Sequence, residues 1–178
     1  MRWAMINKYK AMDVANYIIW YANTHLGNKS LTPIKLQKIL YYVQATYLAK
    51  NGIPLFEDAI QKWQYGPVVP SVYYEFKDYG ISHIDKTRST FIHKLDGNTF
   101  GFEFVDFDAN SILVNKEISQ HIESIVDRLI NERPFDLVNR THAEELWLKD
   151  QEKILSGIRD IEYSNFEITE YFRKNPFC

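Results

Sequence analysis

The chain has 178 residues, 46% of them hydrophobic and 25% charged, with a formal net charge of −2. That is enough for a sizeable core, with a single domain over 1–178 expected, and too little positive charge for a broad electrostatic grip on nucleic acid. One cysteine, Cys178, allows no intrachain disulfide, and no stretch approaches the roughly 20 apolar residues of a membrane span, so a cytoplasmic setting is expected.

Residues 11–25 place Val14, Ile18 and Tyr21 at helical spacing. Asp13 stands in the first turn, where the helix dipole favours a negative charge, and Gly27 follows the end. The next element has the clearest start signal: Thr32 as N-cap, Pro33 as first helical residue, and Leu31 able to staple onto Leu36. The spacing predicts a helix from about Pro33 to Lys50, stopped at Asn51-Gly52. Its inner stripe is Leu36, Leu40, Val43 and Tyr47, while Lys35, Lys38, Gln44 and Thr46 fall largely outside it.

From Ala59 to Tyr65 the pattern alternates loosely, which reads as a short extended segment or edge strand. Gly66-Pro67 then forces a turn, with Gly66 expected in a conformation that other residues adopt poorly. Pro70 opens a helix from about Ser71 to Tyr79, ended by Gly80. After a polar stretch at 82–89, Thr90-Phe91-Ile92 and Phe100, Phe102 and Phe104 flank Asp96-Gly97, a hairpin signal. Ile118, Ile122, Ile125 and Leu129 mark a helix over about 116–131. Two capping boxes follow. Thr141 with Glu144 would start a short helix carrying Leu146 and Trp147, and Ser164 with Glu167 a final one ending before Pro176. The expected class is α+β, mainly α: a compact helical domain with a small antiparallel sheet or hairpin, and a helical extension at 150–178.

Few residues suggest chemistry. The five histidines are scattered, none at i,i+3 or i,i+4 from another, so no metal site is expected. Seven glycines form no phosphate-binding loop, and no cofactor is expected. His142 and Glu145, three apart, have the spacing of a base and its orienting carboxylate; a hydrolase is the enzymatic alternative, against a purely structural pair. Arg2, Lys8 and Lys10 beside Trp3 and Tyr9 resemble a small single-strand nucleic-acid grip of the kind an operon-autoregulating protein would use, which the negative net charge disfavours.

The aromatic density between residues 41 and 79 is harder to absorb into a core. A helix buries one face, so the adjacent pairs Tyr41-Tyr42 and Tyr73-Tyr74 should leave some rings exposed, and clustered exposed rings mark contact surfaces.

The helix segment Leu36–Tyr42, the turn Trp63, Gly66, Pro67 and Val68, and the later Thr141, His142, Glu144 and Trp147 together resemble the Panacea domain family, which includes SocA-like antitoxins and GepA-like phage-associated proteins. The resemblance runs from about residue 12 to about 148. It implies a non-enzymatic protein that neutralises a co-encoded toxin by direct binding, and for some members an adaptor that delivers the toxin to a housekeeping protease. The expected contact face displays Lys38, Tyr42, Trp63, Tyr65 and Tyr74. Leu36, Leu40, Gly66, Pro67, His142 and Trp147 are expected to hold the scaffold.

Overall fold

Helix α2 (Pro33–Asn51) organises the molecule, and its ends follow from local chemistry. The Thr32 hydroxyl accepts from the Lys35 backbone N–H, Pro33 needs no donor at the first position, and Gly52 exits at φ +72° in the left-handed region. The computed structural model describes residues 9–96 and 99–177.

Around α2 pack α1 (Ala11–Trp20), α3 (Pro70–Phe76), α5 (Lys116–Leu129), α6 (Pro134–His142) and α9 (Asn165–Lys174). Neighbours on every side explain why α2 buries far more than one stripe. Leu36, Ile39, Leu40, Tyr41 and Val43 are fully enclosed, and so are the polar side chains of Lys35, Gln37, Lys38 and Gln44. Each polar one has a partner. Gln37 accepts from Val69 N, Lys35 donates to Ile130 O, and the Gln44 amide bridges Leu55 N and Phe56 O. Buried polar groups are tolerated on these terms, because an unmade hydrogen bond in the interior is costly. Lys35, Lys38 and Gln44 therefore do not lie outside the buried stripe: every residue from Lys35 to Ala45 is buried, and of the four expected outside it only Thr46 is partly exposed.

Strands β1 (Ile60–Trp63) and β2 (Gly66–Val68) pair antiparallel, with Trp63 opposite Gly66, and β5 (Glu162–Tyr163) adds to the other side of β1. The expected edge strand is thus the central one, order β2-β1-β5, because its second partner comes from a hundred residues further on. The turn falls at 64–65, and Gly66 opens β2 at φ +92°. Beyond α3 a tight 3-10 turn (Lys77–Tyr79) ends at Gly80, φ +56°.

Strands β3 (Thr90–Asp96) and β4 (Thr99–Val105) form the predicted antiparallel hairpin, with Phe91 opposite Phe104. Gly97 of its turn signal lies outside the described residues, as do Arg2, Trp3 and Lys8. Helix α1 ends in a π-helical turn (Tyr21–His25), and Gly27 follows at φ +58°.

The short helices α4 (Asn110–Leu113), α7 (Glu145–Leu148) and α8 (Gln151–Leu155) connect the larger ones. The Ser164 cap forms, its hydroxyl accepting from Glu167 N at 3.1 Å, while the Glu167 carboxylate turns to Lys62 and Lys149 rather than closing the box. The Thr141 box does not form. Arg133-Pro134 starts α6 instead, which makes Thr141 a buried residue of its last turn, donating to Val138 O.

One core takes in residues from Tyr9 to Phe172, so residues beyond 150 supply part of it through Tyr163, Ile168 and Phe172. Leu40, with no exposed surface, sits at its centre. Leu40→Ala is expected to cost about 2–5 kcal/mol, the lost burial plus the cavity left behind. Urea denaturation checks this, and a change below about 1 kcal/mol would contradict the packing described.

Candidate functional site

The three sequence segments singled out above meet in space. From α2, the Lys38 ammonium donates to Pro67 O at 3.1 Å, and the Tyr41 and Tyr42 hydroxyls donate to the two carboxylate oxygens of Glu144 at 2.6 and 2.7 Å. From α7, the Trp147 indole N–H donates to Trp63 O at 3.0 Å, and the His142 ring stacks on Trp147 with centroids 3.8 Å apart. Gly66 sits where these lines cross. A Cβ there would lie 2.5 Å from Thr141 Oγ1 and 3.0 Å from Lys38 Cε, and the positive φ would strain any side chain as well. Nearby, the buried Lys62 ammonium is held by Asp150 at 2.8 Å and Glu167 at 2.9 Å, tying β1 to α8 and α9.

Lys38 and Glu144 are almost wholly enclosed in this hub and strongly perturbed. Burial pulls Lys38 down to about 7, against the opposing pull of the Glu144 carboxylate. Burial pushes Glu144 up to about 7, opposed by the hydrogen bonds from Tyr41 and Tyr42 and by Lys38. Each shift makes stability depend on pH, in opposite directions for the two groups. Glu144 keeps its proton in the folded state to about 7 but would release it near 4.5 when unfolded, so its contribution to stability is lost as pH rises through 7. Lys38 behaves oppositely: its contribution is regained above 7, toward the unfolded value of 10.5. Glu144→Gln, which cannot titrate, is therefore expected to flatten the decline in unfolding free energy between pH 5 and pH 7. Urea titrations of both proteins at the two pH values check this, and parallel slopes would contradict it.

The expected contact face does not assemble as one surface. Lys38 and Tyr42 are 1% exposed, because Gly66-Pro67 and α6 cover the first while Phe172 and a stacked Phe177 cover the second. Tyr41 is enclosed too, so the premise that adjacent tyrosines cannot both be buried fails for a helix with neighbours all round. Tyr65 and Tyr74 remain outside, 51% and 58% exposed, and Trp63 is half-buried. Leu36, Leu40, Gly66, Pro67 and Trp147 lie in the interior, and His142 is half-buried against it.

His142 and Glu145 are not brought together: one ring lies flat on Trp147 and the other side chain is on the surface. Burial lowers the His142 pKa. Tyr9, of the basic–aromatic N-terminal cluster, is buried and donates to Ser111 O, so it offers no stacking platform. Among the described residues no group of three or more His, Cys, Asp or Glu could hold a metal ion. No helix of the described residues is long and apolar enough to cross a membrane.

A groove of about 540 Å³ opens between β1, α3 and the α8–β5 loop. Trp63 packs edge-on to Tyr73 at 4.9 Å, Tyr73 to Tyr74 at 5.5 Å, and Ile154 and Ile158 face them. Beyond the β1–β2 turn, Tyr65 stands edge-on to Phe135, itself 59% exposed. Phe135, Ile154 and Ile158 were not among the expected site residues. Phe135 directly follows the Arg133-Pro134 start, a signal that would have placed it on the first turn of α6.

Fold and site together describe a helical scaffold domain whose signature residues are largely spent on its own interior, with one set of exposed rings, Tyr65, Tyr74 and Phe135, near the groove and another, Phe91, Phe102 and Phe104, on the hairpin. The chain belongs to the SocA-like antitoxin family, Panacea domain, whose model matches residues 36–148. It is also 35% identical over 54 residues to the antitoxin SocA of Caulobacter vibrioides, a match that covers 30% of this chain and 29% of that protein. No solved structure matches the chain.

Proposed function

We propose that this protein is a non-enzymatic antitoxin that captures a co-encoded protein toxin in the cytoplasm, using the groove and the adjoining Tyr65–Phe135 pair as its contact surface. The observation that carries this reading is the position of two rings, the half-buried Trp63 and the exposed Tyr65. Trp63 and Tyr65 flank the hairpin turn that Lys38, Thr141 and Trp147 lock from behind. A surface fixed in advance loses little entropy on binding, and rigid aromatic anchors return much contact area for that loss. Family membership and the short SocA match support a toxin as the partner.

Co-expression tests the proposal. The reading frame adjacent to this gene should be lethal alone and harmless with this protein, whereas continued lethality would defeat the antitoxin reading. Toxin half-life in the same cells separates two modes of action. An unchanged half-life means masking by binding, and a shortened one means delivery to a housekeeping protease as an adaptor.

A further inference from the structure

The groove has a chemistry specific enough to name what fills it, an inference that rests on the capture surface proposed above and deepens it. We infer that it receives an extended segment of the partner protein in which an apolar anchor residue lies next to an acidic one.

The floor is aromatic and aliphatic, from Trp63, Tyr73, Tyr74 and Ile158, and suits a single large apolar side chain. The rim is cationic. Lys77 lies with its ammonium 5.3 Å from the Tyr74 ring centre, and Arg159 borders the opposite wall. Both are exposed, and among the described residues neither is in an ion pair. Of the other charges in the lining, Lys62 is paired with Asp150 and Glu167, while the exposed Asp160 accepts from the Gln61 side chain at 3.3 Å and leaves two cations against one anion, a net positive rim. The unanswered cations therefore sit beside the aromatic floor, and the complementary partner brings a carboxylate within reach of its anchor.

The wall carrying Arg159 is held in an unusual conformation. Gly157 has φ +89° and Asp160 φ +60°, and the Lys62 N–H donates to Ile161 O at 2.7 Å just beyond. Glycine adopts this region freely, but Asp160 holds it as a non-glycine residue, and residues so held gather at ligand clamps. Single-stranded nucleic acid also favours rings with cations, but it needs a charged track along its backbone. Here two cations stand on a chain of net charge −2, with Ile154 and Ile158 forming one wall. Those aliphatic residues and the exposed Gln64 amide suit a peptide.

The test presents the whole protein with a random dodecapeptide display library, then measures selected peptides by titration. Expected winners carry Asp or Glu within a few positions of Phe, Leu or Trp. Their affinity should drop about tenfold or more for the K77E/R159E double variant and for Tyr74→Ala, and stay unchanged for Phe166→Ala, an exposed ring elsewhere. Winners without acidic residues, no enrichment at all, equal affinity in the charge-reversed variant, or displacement by an oligothymidylate would each overturn the inference. Toxin rescue is scored separately. Rescue without peptide selection would leave the antitoxin standing and remove this groove as its contact, while selection without rescue would keep the peptide site and remove the toxin.

Discussion

Glu144→Ala is expected to lower stability by about 3–5 kcal/mol, the range for breaking a buried charged network from one side. Three groups lose what they face. The hydroxyls of Tyr41 and Tyr42 each lose their acceptor inside the core, and Lys38 loses the nearby carboxylate that favours its charge. An unsatisfied buried donor costs about 1–3 kcal/mol, and a domain of this size holds only about 5–15 kcal/mol in total. The midpoint of thermal unfolding should accordingly fall by roughly 10 °C or more, at about 2–4 °C per kcal/mol. The cause is separable from simple loss of volume. Glu144→Leu combined with Tyr41→Phe and Tyr42→Phe removes the orphaned hydroxyls, and it should regain part of the loss that Glu144→Leu shows alone. A loss below about 1 kcal/mol for Glu144→Ala, or no regain in the combined variant, would mean the network does not hold these segments together.

That network also shows how far the sequence could be read. Chain-local physics was legible: the Thr32-Pro33 start, the Gly52 exit, the positive φ of Gly66 and the Ser164 cap all appear where residue chemistry places them. The β3–β4 hairpin was equally visible in the alternation of its phenylalanines. What escaped depends on partners distant in the chain. No pattern near Lys38 or Tyr42 reveals that α6, Phe172 and Phe177 cover them, so polar and aromatic residues of α2 read as surface when they are interior. The centrality of β1 was hidden for the same reason, since β5 returns from beyond the family-matched region. Thr141 with Glu144 mimicked a capping box because the spacing is right, yet the carboxylate is committed to two tyrosines of α2. The candidate site was therefore half legible. Trp63, Tyr65 and Tyr74 were found from their density, while Phe135 and Ile158 needed the fold to bring them near.

Because their rings are more than half exposed, Tyr65 and Tyr74 can be removed without touching the hub. Exposed substitutions of this kind usually change stability by less than about 0.5 kcal/mol, which leaves the unfolding midpoint within about 2 °C. Aromatic anchors at an interface centre can each contribute about 2 kcal/mol or more to a complex. The decisive measurement is a titration of the purified protein with the product of the adjacent reading frame, comparing wild type, the Y65A/Y74A double variant and Phe166→Ala. The expected result is a loss of affinity of roughly a hundredfold or more in the double variant, with an unchanged midpoint and unaltered binding by Phe166→Ala. Wild-type affinity in the double variant would contradict the assignment of this surface to toxin capture.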